Sequence, residues 1–227
     1  LLFFASAFFI LPIKPQYRYP NSKLKDSDTS FFRELHEILP FIKKTKKVVQ
    51  ALVVLTIAQA IIFMFAVLGP GYMATILNVA IESLSLILVA PAALGMAIGA
   101  ILLGIIGKKF EFRWLSGVGF MLSGVIFVLF SQGEKIASAL PIIIILSILV
   151  GLAISLIFIP GHATIQTETS ERLRGRIYGL LNALTGVVSF LPVVLAGGLA
   201  DLFGVGSVVS GVGILMLIIS VFFFIFA

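Results

Sequence analysis

From Val48 to the end of the chain, six apolar segments follow one another with only short polar breaks between them, at about 48–68, 83–106, 114–130, 139–160, 177–200 and 205–227. No other feature limits the fold so tightly. Most of these segments exceed the roughly 20 residues that an α-helix needs to cross a bilayer at about 1.5 Å per residue. Hydrocarbon offers a backbone no hydrogen-bond partner, so each segment must close its own hydrogen bonds as a helix. None alternates apolar and polar residues with a period of two, which excludes a transmembrane β-barrel. The expected fold is all-α: a polytopic membrane protein in which residues 48–227 form a six-transmembrane-helix bundle.

Charge and composition agree with lipid as the solvent. Only 11% of the 227 residues are charged, against about 25% in a soluble domain, and the mean hydropathy is +1.19. The net charge of +6 does not point to nucleic acid, because Lys and Arg sit in short loops rather than along one soluble face. The chain has no cysteine, which excludes a disulfide framework, a thiol nucleophile and a Cys-ligated metal.

Ahead of the six segments, Leu1–Leu11 is apolar but too short to span; it reads as the tail of a transmembrane helix, residues 1–12, that begins upstream. Residues 13–47 form the one long polar stretch. Its first part reads as a linker. Phe31, Leu35, Ile38, Leu39 and Ile42 then recur at helical spacing after Ser30, a candidate N-cap, which fits an amphipathic helix at the headgroups or a solvated linker helix.

Orientation follows from the basic residues. Nine lie in the linker; Lys108, Lys109 and Arg113 follow the second segment, and Arg172, Arg174 and Arg176 follow the fourth. With six crossings, 15 of the 16 Lys and Arg residues fall on one face, which the positive-inside rule makes cytoplasmic. The expected location is a cell (inner or plasma) membrane, multi-pass, with residues 13–47 cytoplasmic. Tyr72, Trp114 and Tyr178 fall at the expected span ends, where amphipathic rings prefer to sit.

Small residues promise close helix packing. Gly95 and Gly99 form a G-x-x-x-G pair, and Ser147, Gly151 and Ser155 recur every fourth position. Pro91 and Pro192 fall inside segments, where a missing N–H favours a kink.

The interior holds almost no ionisable group. Glu82, Asp201 and His162 stand at segment ends and read as structural or capping residues. No Gly-rich phosphate loop, zincin motif or nucleophile elbow occurs, so neither a cofactor nor a metal is expected. Neutral polar side chains do lie at depth. Gln59 is mid-segment in the first, and Asn182, Thr185 and Ser189 share one face of the fifth. Such residues either line a water-filled path or bond to neighbouring helices; Thr and Ser also bond back to their own helix.

The order of elements, a long linker, six spans and charged loops after the second and fourth, resembles the C-terminal half of a major facilitator superfamily transporter, with the whole chain included. Glu171-Arg-Leu-Arg-Gly-Arg-Ile-Tyr-Gly-Leu-Leu-Asn182, followed by Ala196-Gly-Gly-Leu-Ala-Asp-Leu-Phe-Gly204, is similar to the drug- and macrolide-efflux branch, which includes siderophore exporters. The family's loop signature is matched in Gly104-Ile-Ile-Gly-Lys108-Lys109-Phe-Glu111-Phe-Arg113 by Gly104, Lys109 and Arg113, while Lys108 stands where the family has Asp and Glu111 where it has Gly. The later Asp201 reads as a helix cap in a tight turn.

The resemblance implies a bundle of two inverted three-helix repeats, facing a missing N-terminal six-helix half across a midplane cavity. It places Gln59 and Asn182 on that cavity, with Thr185 and Ser189 as further candidates from their shared helix face, and Gly104, Lys108, Lys109, Arg113, Arg174, Gly175 and Arg176 on cytoplasmic gating loops. Its implied activity is proton-driven efflux of a hydrophobic or amphiphilic small molecule, with protons as the coupling ion. Three alternatives stay open: a major facilitator importer, a non-transporting scaffold or assembly subunit, and an intramembrane enzyme, the last lacking catalytic groups at depth.

Overall fold

The computed structural model describes residues 44–107, 110–133 and 140–226. The linker, its amphipathic helix, the tail at residues 1–12, Lys108 and Lys109 lie outside the described residues. Six long helices carry the fold: α1 (Lys46–Tyr72), α2 (Ala90–Ile106), α3 (Phe112–Ser131), α4 (Leu140–Glu168), α5 (Glu171–Phe203) and α6 (Val205–Phe226). All six spans so built are long and apolar enough to cross a membrane.

Helix ends depart from the sequence expectation at three places. The first span does not stop at residue 68. It runs through Gly69-Pro70-Gly71 and a wide π turn to Leu77, where Asn78 adopts a left-handed conformation (φ 52°) and closes the helix. The cause is tertiary: Tyr72 is fully buried, and its hydroxyl donates to the Phe130 carbonyl at 2.8 Å. Tyr72 is thus a packing anchor and not an interfacial ring. Phe65, Phe127, Phe130 and Tyr72 continue this contact as a run of ring pairs, with centroids 4.9–6.4 Å apart. Tyr72→Phe leaves the packing and removes the donor. The expected cost is about 1 kcal/mol, a fall of about 2–4 °C in the unfolding midpoint of detergent-solubilised protein; an unchanged midpoint would refute a structural role for the bond.

The fourth span, likewise, does not stop at Pro160 but continues to Glu168, and α5 begins at Glu171. Arg172, Arg174, Gly175 and Arg176 therefore lie in the first turns of a helix, not on a loop. Arg174 explains the tight joint. Its Nη2 donates to the Gln166 carbonyl at 2.9 Å, satisfying an end of α4 that would otherwise lack a donor. The third departure is at the other end of α5, where the tight turn is Gly204 alone, at φ +81°, while Asp201 stays in the last helical turn, exposed. A left-handed φ there suits glycine.

Contacts at the helix ends fix the alternation. Lys47 at the start of α1 pairs with Glu168 at the end of α4 (2.9 Å), and Arg113 at the start of α3 donates through Nε to the Phe223 carbonyl near the end of α6 (3.1 Å). Successive helices are antiparallel, so α1 and α4, α2 and α5, and α3 and α6 run oppositely. The main partnerships are α3 with α6, α2 with α4, α3 with α4 and α1 with α5, followed by α1 with α4. Exchanging each helix for the one three places on carries the α1–α5 contact onto α2–α4 and the α1–α4 and α3–α6 contacts onto themselves. The extensive α3–α4 contact answers to a much slighter α1–α6 contact, so the two inverted three-helix repeats match only in part.

Backbones meet closely in two of these pairs. A Cβ at Gly95 would overlap the Ile148 carbonyl, and one at Gly151 the Ala92 carbonyl; Gly99 faces the Ser155 hydroxyl. Gly124 and Gly213 approach in the same way between α3 and α6, each within 2.8 Å of the other's carbonyl if a Cβ were added. Lipid supplies no hydrophobic drive between helices, so contact area of this kind holds the bundle together.

Candidate functional site

α1 and α4 lie side by side, and α5 packs on α1. Between them opens a cavity of about 420 Å³. Each helix gives it one stripe at helical spacing: Leu55, Gln59 and Phe63 from α1, Phe158 and His162 from α4, and Tyr178, Asn182 and Thr185 from α5. Its floor belongs to a small apolar cluster of Leu52, Leu55, Ile165, Ile177 and Leu181. Gly186 closes the α5 side, and a Cβ there would meet nothing within 4 Å.

The structure brings together three of the four polar residues expected from the sequence, Gln59, Asn182 and Thr185. Asn182 is exposed, Gln59 half-buried and Thr185 buried. Ser189 does not join them. It is 4% exposed, one turn beyond Thr185, and stands outside the lining.

Two cavity residues had been assigned elsewhere on sequence grounds. His162 Nδ1 lies 3.3 Å from the Tyr178 hydroxyl and the two rings stack with centroids 5.7 Å apart; Phe158 flanks the imidazole at 6.0 Å. Gln166 Nε2 reaches the same hydroxyl at 3.5 Å. Tyr178 is four residues before Asn182, so the α5 stripe carried a signal for it. His162 had none, because only the meeting of α4 with α5 places it beside Tyr178. Arg174 and the Lys47–Glu168 pair lie beyond His162 toward the same end of the bundle. Among the described lining residues, the imidazole and the phenol are the only titratable groups and there is no carboxylate. Among the described residues no group of His, Cys, Asp or Glu is gathered to hold a metal ion.

The residues expected on gating loops are dispersed. Gly104 lies in the last turns of α2, exposed, with open space around a would-be Cβ, and Gly175 is likewise exposed and open. Arg113 and Arg174 hold the carbonyl ends of α6 and α4, and Arg176 is half-buried in α5. Pro91 stands in the first turn of α2, directly after a π turn over Ser85–Val89; the ring lacks an N–H, and the ladder changes register just before it. Pro192 sits within α5, which remains helical on both sides.

A family model described as Major Facilitator Superfamily matches residues 50–227. A curated protein, "Multidrug efflux pump Tap" from Mycolicibacterium fortuitum, is 30% identical over 136 residues, a match covering 58% of this chain and 33% of that protein. The chain thus spans about a third of the length of that relative. No solved structure gives a significant match.

Proposed function

The chain belongs to the Major Facilitator Superfamily, and from that premise we propose that it serves as one bundle of a proton-driven exporter of a hydrophobic or amphiphilic small molecule, acting by alternating access. The observation that carries the proposal is the convergence of Gln59, Asn182 and Thr185 from two helices on one cavity otherwise lined by aromatic and apolar side chains. Ligand sites in proteins commonly have this make-up, an apolar wall with a few placed polar groups, at about 300–1,000 Å³. Export as the direction draws on the partial likeness to a multidrug efflux pump.

In this proposal a second six-helix bundle completes the cavity, and rocking of one bundle against the other exposes it to each side in turn. The apolar flank of α5 suits a protein or lipid neighbour: Val187 and Phe190 are 77% and 70% exposed. The end carrying Lys47, Arg113, Arg174 and Arg176 is assigned to the cytoplasm of the cell membrane by the positive-inside rule. Coupling protons are assigned to the other bundle, since this cavity lacks a carboxylate.

The test is transport by the complete gene product carrying Gln59→Leu or Asn182→Leu. Each substitution keeps the side-chain size close and removes the amide. Each is expected to lower efflux of a lipophilic fluorescent reporter about tenfold, the loss of one or two hydrogen bonds to ligand at about 1 kcal/mol each, with membrane insertion retained. Normal efflux by both variants would remove the cavity assignment, and absence of efflux by the parent protein would favour a scaffold.

A further inference from the structure

A second hollow, of about 290 Å³, lies between α1 and α2 with α4 behind it. Its lining is almost wholly apolar, and it shares Phe158 with the polar cavity. The relation between the two goes further than adjacency. In the polar cavity the α5 lining includes positions at i, i+3, i+4 and i+7 from Tyr178; in the apolar hollow the lining from α2 and the π turn before it includes the same four steps from Val89. On the central pair the match repeats, with i, i+4 and i+8 from Leu55 on α1 in one and from Val150 on α4 in the other. On these faces the exchange of α1 with α4 and α2 with α5 relates the two linings. The match is partial, because Phe158 of the polar cavity would answer to Phe63, which does not line the apolar hollow, and Phe127 and Met216 line that hollow alone. Tyr178 answers to Val89, Asn182 to Ala93, Thr185 to Met96 and Gln59 to Ile154.

The two hollows are thus partial counterparts, at two depths. On α4 the polar copy is lined by Phe158 and His162, toward the end that carries Arg174, whereas the apolar copy is lined from Val150 up to Phe158, toward the other end. One is hydrogen-bonding and the other apolar. The polar cavity lies near the lower end of the usual ligand-pocket range and the apolar hollow just below it, and they meet at one ring.

Building on the transporter proposal, we infer that the two hollows are the halves of one ligand site: the head of an amphiphile, neutral and hydrogen-bonding, sits among Gln59, Asn182 and the His162–Tyr178 pair, and its apolar body passes Phe158 into the hollow between α1 and α2. An uncharged head fits because the polar copy offers amides, a hydroxyl, a phenol and an imidazole but no carboxylate to offset a cation. The apolar copy offers nothing to a polar body, and each methylene placed there leaves water.

The experiment is binding of saturated primary amides, from hexanamide to tetradecanamide, to the complete gene product in lipid nanodiscs, measured by equilibrium dialysis for the parent and each variant. Uptake by empty nanodiscs of the same lipid is subtracted, which removes partition into the bilayer. Ala93→Trp fills the apolar hollow, and Met96→Ala enlarges it. The expected result is opposite shifts: the chain length of tightest binding falls in Ala93→Trp and rises in Met96→Ala, with a gain of about fourfold per methylene up to the optimum. Misfolding cannot produce shifts of opposite sign. An optimum common to the parent and both variants, as when a lipid chain fills the hollow, would overturn the inference. If it does so while Gln59→Leu and Asn182→Leu still weaken binding, only the second half of the site is lost; if those two also bind as the parent does, the cavity proposal itself falls.

Discussion

Gly151→Val is expected to abolish the folded bundle. At this crossing a Cβ on Gly151 would overlap the carbonyl of Ala92, and the reciprocal Cβ on Gly95 would overlap that of Ile148. The obstacle in each case is backbone, which cannot rotate aside as a side-chain tip can. Relief requires α2 and α4 to separate along their length, and this pair is among the most extensive contacts in the bundle. Overpacking a well-filled interior costs about 1–3 kcal/mol when side chains can shift, and a clash against backbone belongs at or above the top of that range. Helix association in lipid relies on such close approach, with no hydrophobic term to restore it. The measurement is the yield of monodisperse protein in detergent and its unfolding midpoint, for Gly151→Val and Gly95→Val beside Gly211→Val on α6. A Cβ at Gly211 meets nothing within 4 Å, so that variant should behave as the parent. Equal yields for all three would mean that α2 and α4 do not cross as described.

Gly186→Trp is expected to do the opposite, leaving the fold in place and stopping transport. Gly186 also lies inside a membrane-spanning helix, yet it is exposed and a Cβ there has open space. Replacing glycine in a helix interior gains up to about 1 kcal/mol of propensity, of which Trp gives part back. The indole would occupy the cavity of about 420 Å³ beside Asn182 and Thr185. Efflux should fall more than about tenfold, as for loss of a ligand's main contacts, while the unfolding midpoint stays within about 2 °C of the parent. Efflux at the parent rate would show that substrate does not pass this cavity. A collapse of stability would show α5 packed more tightly on its neighbours than its open glycines indicate.

The six helices were legible because lipid imposes them: a run of apolar residues about 20 long has one way to satisfy its backbone. Their ends were less legible. Gly69-Pro70-Gly71 has the chemistry of a turn, and Pro160-Gly161 likewise, yet the helices continue through both. Tyr72 holds the first extension from a site on α3, and Arg174 holds the second from a site on α5. Neither partner is local, so no window of sequence around the proline contains the reason. Gln59 and Asn182 stood out as uncharged polar side chains at depth. Ser189 shares a helix face with Asn182 and Thr185, yet the structure sets it apart because the cavity lining ends at Gly186. His162 looked like an end residue because the sequence places the end of α4 two turns too early.

By itself, the sequence determined that six spans follow one another among the described residues, that successive ones run oppositely, and which end of them carries the basic residues. Each of these follows from solvent and from neighbours along the chain, where hydropathy and period suffice. Only the tertiary structure decided that Gly151 touches a carbonyl while Gly186 faces open space, that His162 meets Tyr178, and that a polar and an apolar hollow meet at Phe158. Periodicity states which residues share a face of a helix. It does not state what that face meets, because the partner lies tens of residues away and is chosen by packing.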